Sequence, residues 1–297
     1  MPRAGDGGDD ALAEGLKEIR RRINSVKNIR KITAAMKMVA ASKLRRAQQR
    51  AEAGRPYADA VRGVLLRLAA HAGVDHPFLV ERPVTHALVV VVTSDRGLAG
   101  AFNANINRAG LLLLRSLAQP RVVAVGKKAR DYFRRRRFEV TTDYTGLADE
   151  VRFVDAERIA REVTQQYLDG HCEQVHLVYP QFINAVTSRP VSVRLLPLAG
   201  SDLEGDRGDH EGQYIFEPDA ATVLARLLPH YISVLIYRAL LEAKASEFGA
   251  RMAAMDSATK NAGEVIDRLT LVSFRVRQAA ITKEISEIVG GAAALQG

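Results

Sequence analysis

The chain has 297 residues, close to half of them apolar, and 43 Lys and Arg against 34 Asp and Glu give a net charge of +9. This length fits one large domain or two modest ones, and no stretch approaches the ~20 unbroken apolar residues that cross a bilayer. A single cysteine, Cys172, excludes an internal disulfide and a cysteine-based zinc cage, and the scattered histidines show no metal-ligand spacing.

Residues 1–15 are acidic and glycine-rich, lack the apolar core of a secretory signal, and read as a flexible tail on a cytosolic chain. Residues 16–53 follow as one long helix, with Leu16, Ile19, Ile23, Val26, Ile29, Ile32, Met36, Val39 or Ala40, and Leu44 recurring every three or four positions. At 1.5 Å per residue it would span about 55 Å. Pro56 interrupts it, and helical character resumes from Tyr57 to His71, giving a helical region over 16–75. Residues 16–50 hold twelve Lys or Arg against one acid, Glu18, whereas the rest of the chain holds 31 bases and 33 acids. The basicity belongs to this helix. As a charge pattern it reads either as a solvated face or as an electrostatic footprint for nucleic acid. The absence of any aromatic residue between 16 and 50 weakens single-strand stacking.

Residues 84–198 alternate strand and helix: the β-branched run HALVVVVT (86–93), the helix NANINRAGLLLLRSLA, then RVVAVG, FEVTTDY, QVHLVY and VSVRLL with helices between. This predicts an α/β domain with a largely parallel, Rossmann-like sheet. Gly97 and Gly100 follow the first strand without a GxxxxGK[ST] or GxGxxG pattern, so a turn is expected there, not a phosphate loop. Arg134 to Arg137 read as a solvated surface. Residues 199–217 form an acidic, glycine-rich loop with a short foot. No catalytic constellation, cofactor site or metal site is expected anywhere in the chain.

From Pro218 a second helical region runs to the C-terminus, with a kink expected at Pro229. Leu241, Ala245, Phe248, Met252, Met255, Thr259, Ala262, Ile266 and Leu269 step alternately by four and three, the signature of a coiled-coil seam. Each terminal helix must bury its stripe. The expected fold is therefore α/β plus a long antiparallel α-helical coiled coil formed by the N- and C-terminal helices.

Three segments in this order resemble the gamma subunit family of F-type (rotary) ATP synthases. LKEIRRRINSVKNIRKITAAMKMVAASKLRRAQ (16–48) is similar to that family's N-terminal shaft helix, TSDRGLAGAFNANI (93–106) to the signature at the top of its α/β domain, and residues 247–295 to its C-terminal shaft helix. YIFEPD (214–219) resembles the foot of the rotor. The chain departs from the family at Ala99, where cysteine is usual, at Ala35, where lysine is usual, and at Asp256, where many relatives carry lysine.

The resemblance implies a non-catalytic rotor shaft that couples ion-driven rotation of a membrane c-ring to ATP synthesis or hydrolysis in an alpha3-beta3 head. The implied partners are the alpha and beta subunits, the epsilon subunit and the c-ring, at the cytoplasmic face of a bacterial plasma membrane, without nucleic acid. It implies contact with the catalytic head through Met36, Arg251, Arg277, Gln278 and Thr282, and contact with the rotor ring and foot through Arg45, Arg46, Tyr214, Phe216 and Glu217. The cationic face of residues 17–50 would meet the acidic loops of the head. The small apolar tail IVGGAAALQG would turn as a smooth tip inside a hydrophobic collar. The alternative reading is a basic coiled-coil nucleic-acid-binding protein.

Overall fold

The computed structural model describes residues 7–72, 76–198, 217 and 219–296. Tyr214, Phe216 and the acidic loop over 199–213 lie outside the described residues. The elements run α1 (Gly7–Ala72), β1 (Ala87–Val92), α2 (Phe102–Ser116), β2 (Pro120–Val125), α3 (Lys127–Arg135), β3 (Val140–Tyr144), α4 (Phe153–Leu168), β4 (Gln174–Phe182), β5 (Ser188–Leu196) and α5 (Ala220–Gln296).

These elements form two compact units, Met1–Met38 with Ala254–Gly297, and Val39–Ala253. Both terminal helices contribute to each unit.

In the larger unit the strand order is β3-β2-β1-β4-β5. The first four strands are parallel, and β5 closes one edge antiparallel to β4. All six residues of β1 are buried, as a central strand covered on both faces requires. Alternate residues serve opposite faces. Val89, Val91, Val122 and Ala124 meet α2 and α3 through Phe102, Ile106, Leu114 and Phe133. Leu88, Val90, Val123 and Val125 meet α4, the last turns of α1 and the first part of α5.

Pro56 does not end α1, which continues to Ala72. The turns after it bury Ala58, Val61, Leu65 and Leu68, and packing of this kind overrides the cost of one lost helical hydrogen bond. Pro229 likewise lies inside α5, where Ser233 Oγ donates to the Pro229 carbonyl at 3.1 Å. At its other end α1 starts at Gly7, within the stretch read as a tail. One 18-residue window of α5 has mean hydropathy 1.4, apolar and long enough to cross a membrane, and 39% of it is buried within the protein. Leu228, Ile232, Ile236 and Leu240 of this helix belong to the core of the larger unit.

The two terminal helices are antiparallel within each unit. In the smaller unit, Thr259 Oγ1 donates to Thr33 Oγ1 at 2.8 Å and Lys37 Nζ donates to Asp256 Oδ1 at 2.6 Å. One set of numbers rises as the other falls. In the larger unit, Leu44 and Ala47 pack with Ala245 and Phe248, and Tyr57 Oη lies 2.6 Å from His230 Nε2.

The seam predicted on α5 is the one that is buried or half-buried along its length, from Leu241 to Leu269. On α1 it differs. Ile29 and Ile32, placed in the seam by spacing, are 50% and 59% exposed, and the line that faces the partner passes through half-buried Val26 and buried Thr33, Ala40 and Ala47. Those four are seven apart, the repeat of a coiled coil, and they keep facing the partner where a three-residue step rotates away.

Candidate functional site

The carboxyl ends of β1, β2 and β3 meet at the loop that opens with Thr93. Thr93 Oγ1 accepts a hydrogen bond from Ala129 N at 2.8 Å, which seats the first turn of α3. Gly126, before that helix, has φ 95°, and a Cβ there would lie 2.4 Å from the Thr93 carbonyl oxygen. Only glycine fits.

Asp95 then takes the place an anion would hold. Its carboxylate accepts from Lys127 N and Gly146 N, each at 2.8 Å, so the start of α3 is already occupied by the protein's own negative charge. The next residues form a rigid projection. Ser94 N donates to Asn103 Oδ1 at 3.1 Å and Ser94 Oγ to the Arg96 carbonyl at 2.7 Å. Leu98 stands out with φ 61° and 64% exposure. Ala99, where the family pattern has cysteine, is buried.

In an open α/β sheet a ligand sits beyond the carboxyl ends of the strands, where the connections diverge. Here that place is between β1 and β4, and α5 fills it. Glu242, buried, accepts from Phe182 N at 3.1 Å with one oxygen and from Arg238 Nε at 3.0 Å with the other. Ser246 Oγ donates to the Pro180 carbonyl at 3.4 Å. Arg251 Nη2 donates to the Gly97 carbonyl at 3.3 Å and to Glu247 Oε1 at 2.8 Å. Helix α5 therefore occupies the crevice that a nucleotide would need.

Beside it lies a polar cavity of about 490 Å³, in which Arg96, Lys127, Arg130 and Lys244 face Asp95, Asp149 and Glu247. The cations and carboxylates largely neutralise each other. The Lys43 ammonium, hydrogen-bonded to Asp149 at 2.5 Å, holds that carboxyl below the usual range. With Arg50 and Glu150 at 2.8 Å, it ties α1 to the loop after β3. Cys172 is inert by environment: burial pushes its thiol up to about 12.

The residues singled out from the sequence do not form one cluster. Met36 is half-buried, and Arg277, Gln278 and Thr282 are exposed, all in the smaller unit. Arg251 points inward, its side chain 12% exposed and committed to Glu247.

Arg45 and Arg46 are exposed, and Arg46 lines a groove with Lys244 and Phe248, level with the carboxyl ends of the strands. Glu217, also exposed, precedes α5, so the structure separates it from Arg45 and Arg46. The ties at Lys43, Asp149, Glu242 and Ser246 were missed because their partners are distant in sequence. Thr33 was open to detection through the seven-residue spacing it shares with Val26 and Ala40.

A family profile described as ATP synthase matches residues 15–295. The ATP synthase gamma chain of Desulforamulus reducens is 54% identical over 281 residues, which is 94% of this chain and 99% of that protein. The chain belongs to the ATP synthase gamma-chain family. The gamma chain of Pelotomaculum thermopropionicum is 49% identical, over 95% of this chain and 99% of its own length. Among solved structures, a chain from the central stalk and c-ring of Tetrahymena thermophila mitochondrial ATP synthase is 28% identical. Its TM-score is 0.61, over 76% of this gamma-chain family member and 99% of the Tetrahymena chain. A chain of the Euglena gracilis mitochondrial ATP synthase, at 18% identity and TM-score 0.68 over 95% of each chain, shows the shared fold. The antiparallel terminal helices and the mixed sheet are those of gamma chains in the central stalk.

Proposed function

We propose that this chain is the central shaft of a rotary F-type ATP synthase, a non-catalytic subunit whose work is mechanical. The observation that carries the reading is a gamma-chain match at 54% identity over 94% of the chain. The crevice filled by α5 supports it, because an α/β domain whose ligand site is blocked by its own helix serves as a mount. Residues 16–75 and 218–297 serve as the shaft, 84–198 as the lateral domain and 199–217 as the foot, with 1–15 as a tail. The partners are the alpha and beta subunits around the shaft, and the epsilon subunit and c-ring at the foot. The complex sits at the cytoplasmic face of a bacterial plasma membrane, with this chain peripheral to it.

Mechanically, a rod that touches three equivalent catalytic sites through different faces biases each toward a different affinity for nucleotide. It does so only through its differential interaction with their conformations. Rotation exchanges the three states. The side chains of the smaller unit fit this role: half-buried Met36 and exposed Arg277, Gln278 and Thr282 meet the head directly, with the exposed apolar Ile29 and Ile32 on the same stretch of α1 as Met36. Arg251 acts by holding the Gly97 loop in place. Tyr214, Phe216 and Glu217 belong to the foot. Arg45 and Arg46, level with the strand ends, contact the ring only if it rises that far along the shaft. Co-expression with ATPase alpha and beta subunits tests the reading. A complex of three alpha, three beta and one copy of this chain is expected, and failure of the chain to enter the complex would overturn it.

A further inference from the structure

The amino edge of the sheet carries a dense set of arginines. Arg115 lies in the last turn of α2, Arg121 is the second residue of β2, and Arg134 and Arg135 end α3. Arg136 and Arg137 form the turn that follows. Because α2 and α3 share one face of the sheet and lead into the adjacent strands β2 and β3, their C-terminal ends lie at this same edge. The nearby carboxylates are engaged: Glu139 with Arg121 at 3.3 Å and Asp143 with Arg134 at 2.7 Å.

Arg135, Arg136 and Arg137 are exposed and, among the described residues, none has a carboxylate within ion-pair distance, although Arg135 adds to the field that Arg130 exerts on Asp131. Arg135 Nε donates to the Asp131 carbonyl and Arg136 lies 3.6 Å over the Tyr132 ring. A helix C-terminus favours cations, which accounts for the arginines inside the last turn. It does not account for Arg137. That residue has φ 62°, a left-handed conformation in which glycine costs least. The fold therefore keeps an unpaired cation where a smaller residue would relieve strain, and such outliers point to function.

The orientation of this edge suggests what it meets. The end of α1 leads to Pro77 and Phe78, which are held at the amino edge by Tyr167 Oη and Leu198 N. Tyr57 of α1 lies beside His230 of α5, and α5 reaches the carboxyl edge only at Glu242 and beyond. The start of α5 and the arginines thus share one end of the larger unit. On the shaft reading, that end faces the rotor ring and the membrane.

We propose that this arginine edge is a docking surface for anionic phospholipid headgroups. The choice of lipid rests on the shaft reading; the need for an anion does not. Guanidinium groups match phosphate oxygens in a fork, and cations near an anionic leaflet act together within a Debye length of about 8–10 Å.

The test uses the full chain carrying Ser116→Cys, an exposed position at the same edge, labelled with a polarity-sensitive dye while buried Cys172 stays unreactive. Vesicles of phosphatidylcholine alone, or with roughly one third phosphatidylglycerol, are titrated in about 0.1 M salt. The anionic vesicles are expected to shift the dye and the neutral ones to leave it unchanged. Replacing Arg135, Arg136 and Arg137 by Gln weakens binding at this edge by roughly a hundredfold, at about fivefold per arginine. Arg137→Gly relieves the strained turn, so it folds at least as well, and it weakens binding about fivefold. A control with Lys17, Arg20 and Arg21 replaced by Gln lowers any attraction due to α1 and keeps the dye shift.

The proposal is overturned if both arginine variants shift the dye as the parent does, or if vesicles sediment with the chain while the dye does not respond. It is equally overturned if an RNA oligonucleotide of matched phosphate content binds this edge more tightly than the vesicles. None of these outcomes bears on entry into the alpha–beta complex, which tests the shaft reading separately.

Discussion

A methyl group at Gly249 would lie 2.5 Å from the Ala185 carbonyl oxygen, a backbone atom at the tip of the β4–β5 hairpin that has no side chain to swing away. This glycine lets α5 press against the sheet, and its neighbours Ser246 and Arg251 make their bonds on that close approach. Gly249→Ala should destabilise the larger unit by about 1–3 kcal/mol, the usual cost of overpacking. Gly263, with nothing within 4 Å of a built Cβ, is the contrasting case. Gly263→Ala should be neutral or stabilise by about 0.5–1 kcal/mol, as for a helix interior. Urea unfolding of the two variants side by side measures both, and equal effects would remove the special status given to Gly249. The atom that crowds Gly249 belongs to a residue far away in the sequence, so no local pattern separates these two glycines. Arg251 illustrates the same limit. The family motif picks out the residue, whereas its inward direction depends on a carbonyl 154 positions away.

Helix α5 shows what periodicity does reveal. Its seam of small and flexible residues was legible because a stripe stepping by four and three leaves one buried face, whatever lies opposite. On α1 the same reasoning chose Ile29 and Ile32 over Thr33, since isoleucine outranks threonine as a core residue. The structure reverses the choice because Thr33 has a hydroxyl partner in Thr259 and holds the seven-residue register. The departure at Asp256 also gains a cause at this scale. Lys37 and Lys260 both bond its carboxylate, at 2.6 and 2.9 Å, and hold that carboxyl below the usual range, Lys37 foremost.

A carboxyl whose folded pKa is depressed adds stability above its unfolded pKa, about 3.9, and loses it as pH falls through the folded value. Asp256→Asn should therefore lower the melting temperature of the parent chain at pH 7. The difference should shrink steadily toward pH 3, and 0.5 M salt should reduce it at neutral pH. A difference that does not change with pH would mean the pair contributes through packing instead.

The two terminal helices do not end together. Thr33 opposite Thr259 sets an offset that brings residue 285 level with Gly7, where α1 begins, so the last turns of α5 have no partner among the described residues. They are not polar in compensation. Ile285, level with Gly7, and Ile288 and Val289 beyond it are each more than half exposed, and a lone apolar helix face demands cover. The isolated chain should therefore self-associate through this tip. A chain ending at Thr270 should be monomeric in analytical ultracentrifugation at the same concentration. Raising salt should strengthen the association of the full chain, because apolar contact is not screened; weakening by salt would assign it instead to the cationic face of α1. The larger unit has its own core, so its unfolding transition should be unaffected by the truncation. In the assembled ATPase the tip would be enclosed by the head, and the same truncation should lower the yield of ion transport per ATP hydrolysed. A truncated chain that is monomeric yet couples fully would show that the apolar tip needs cover but does not serve as the bearing of the shaft.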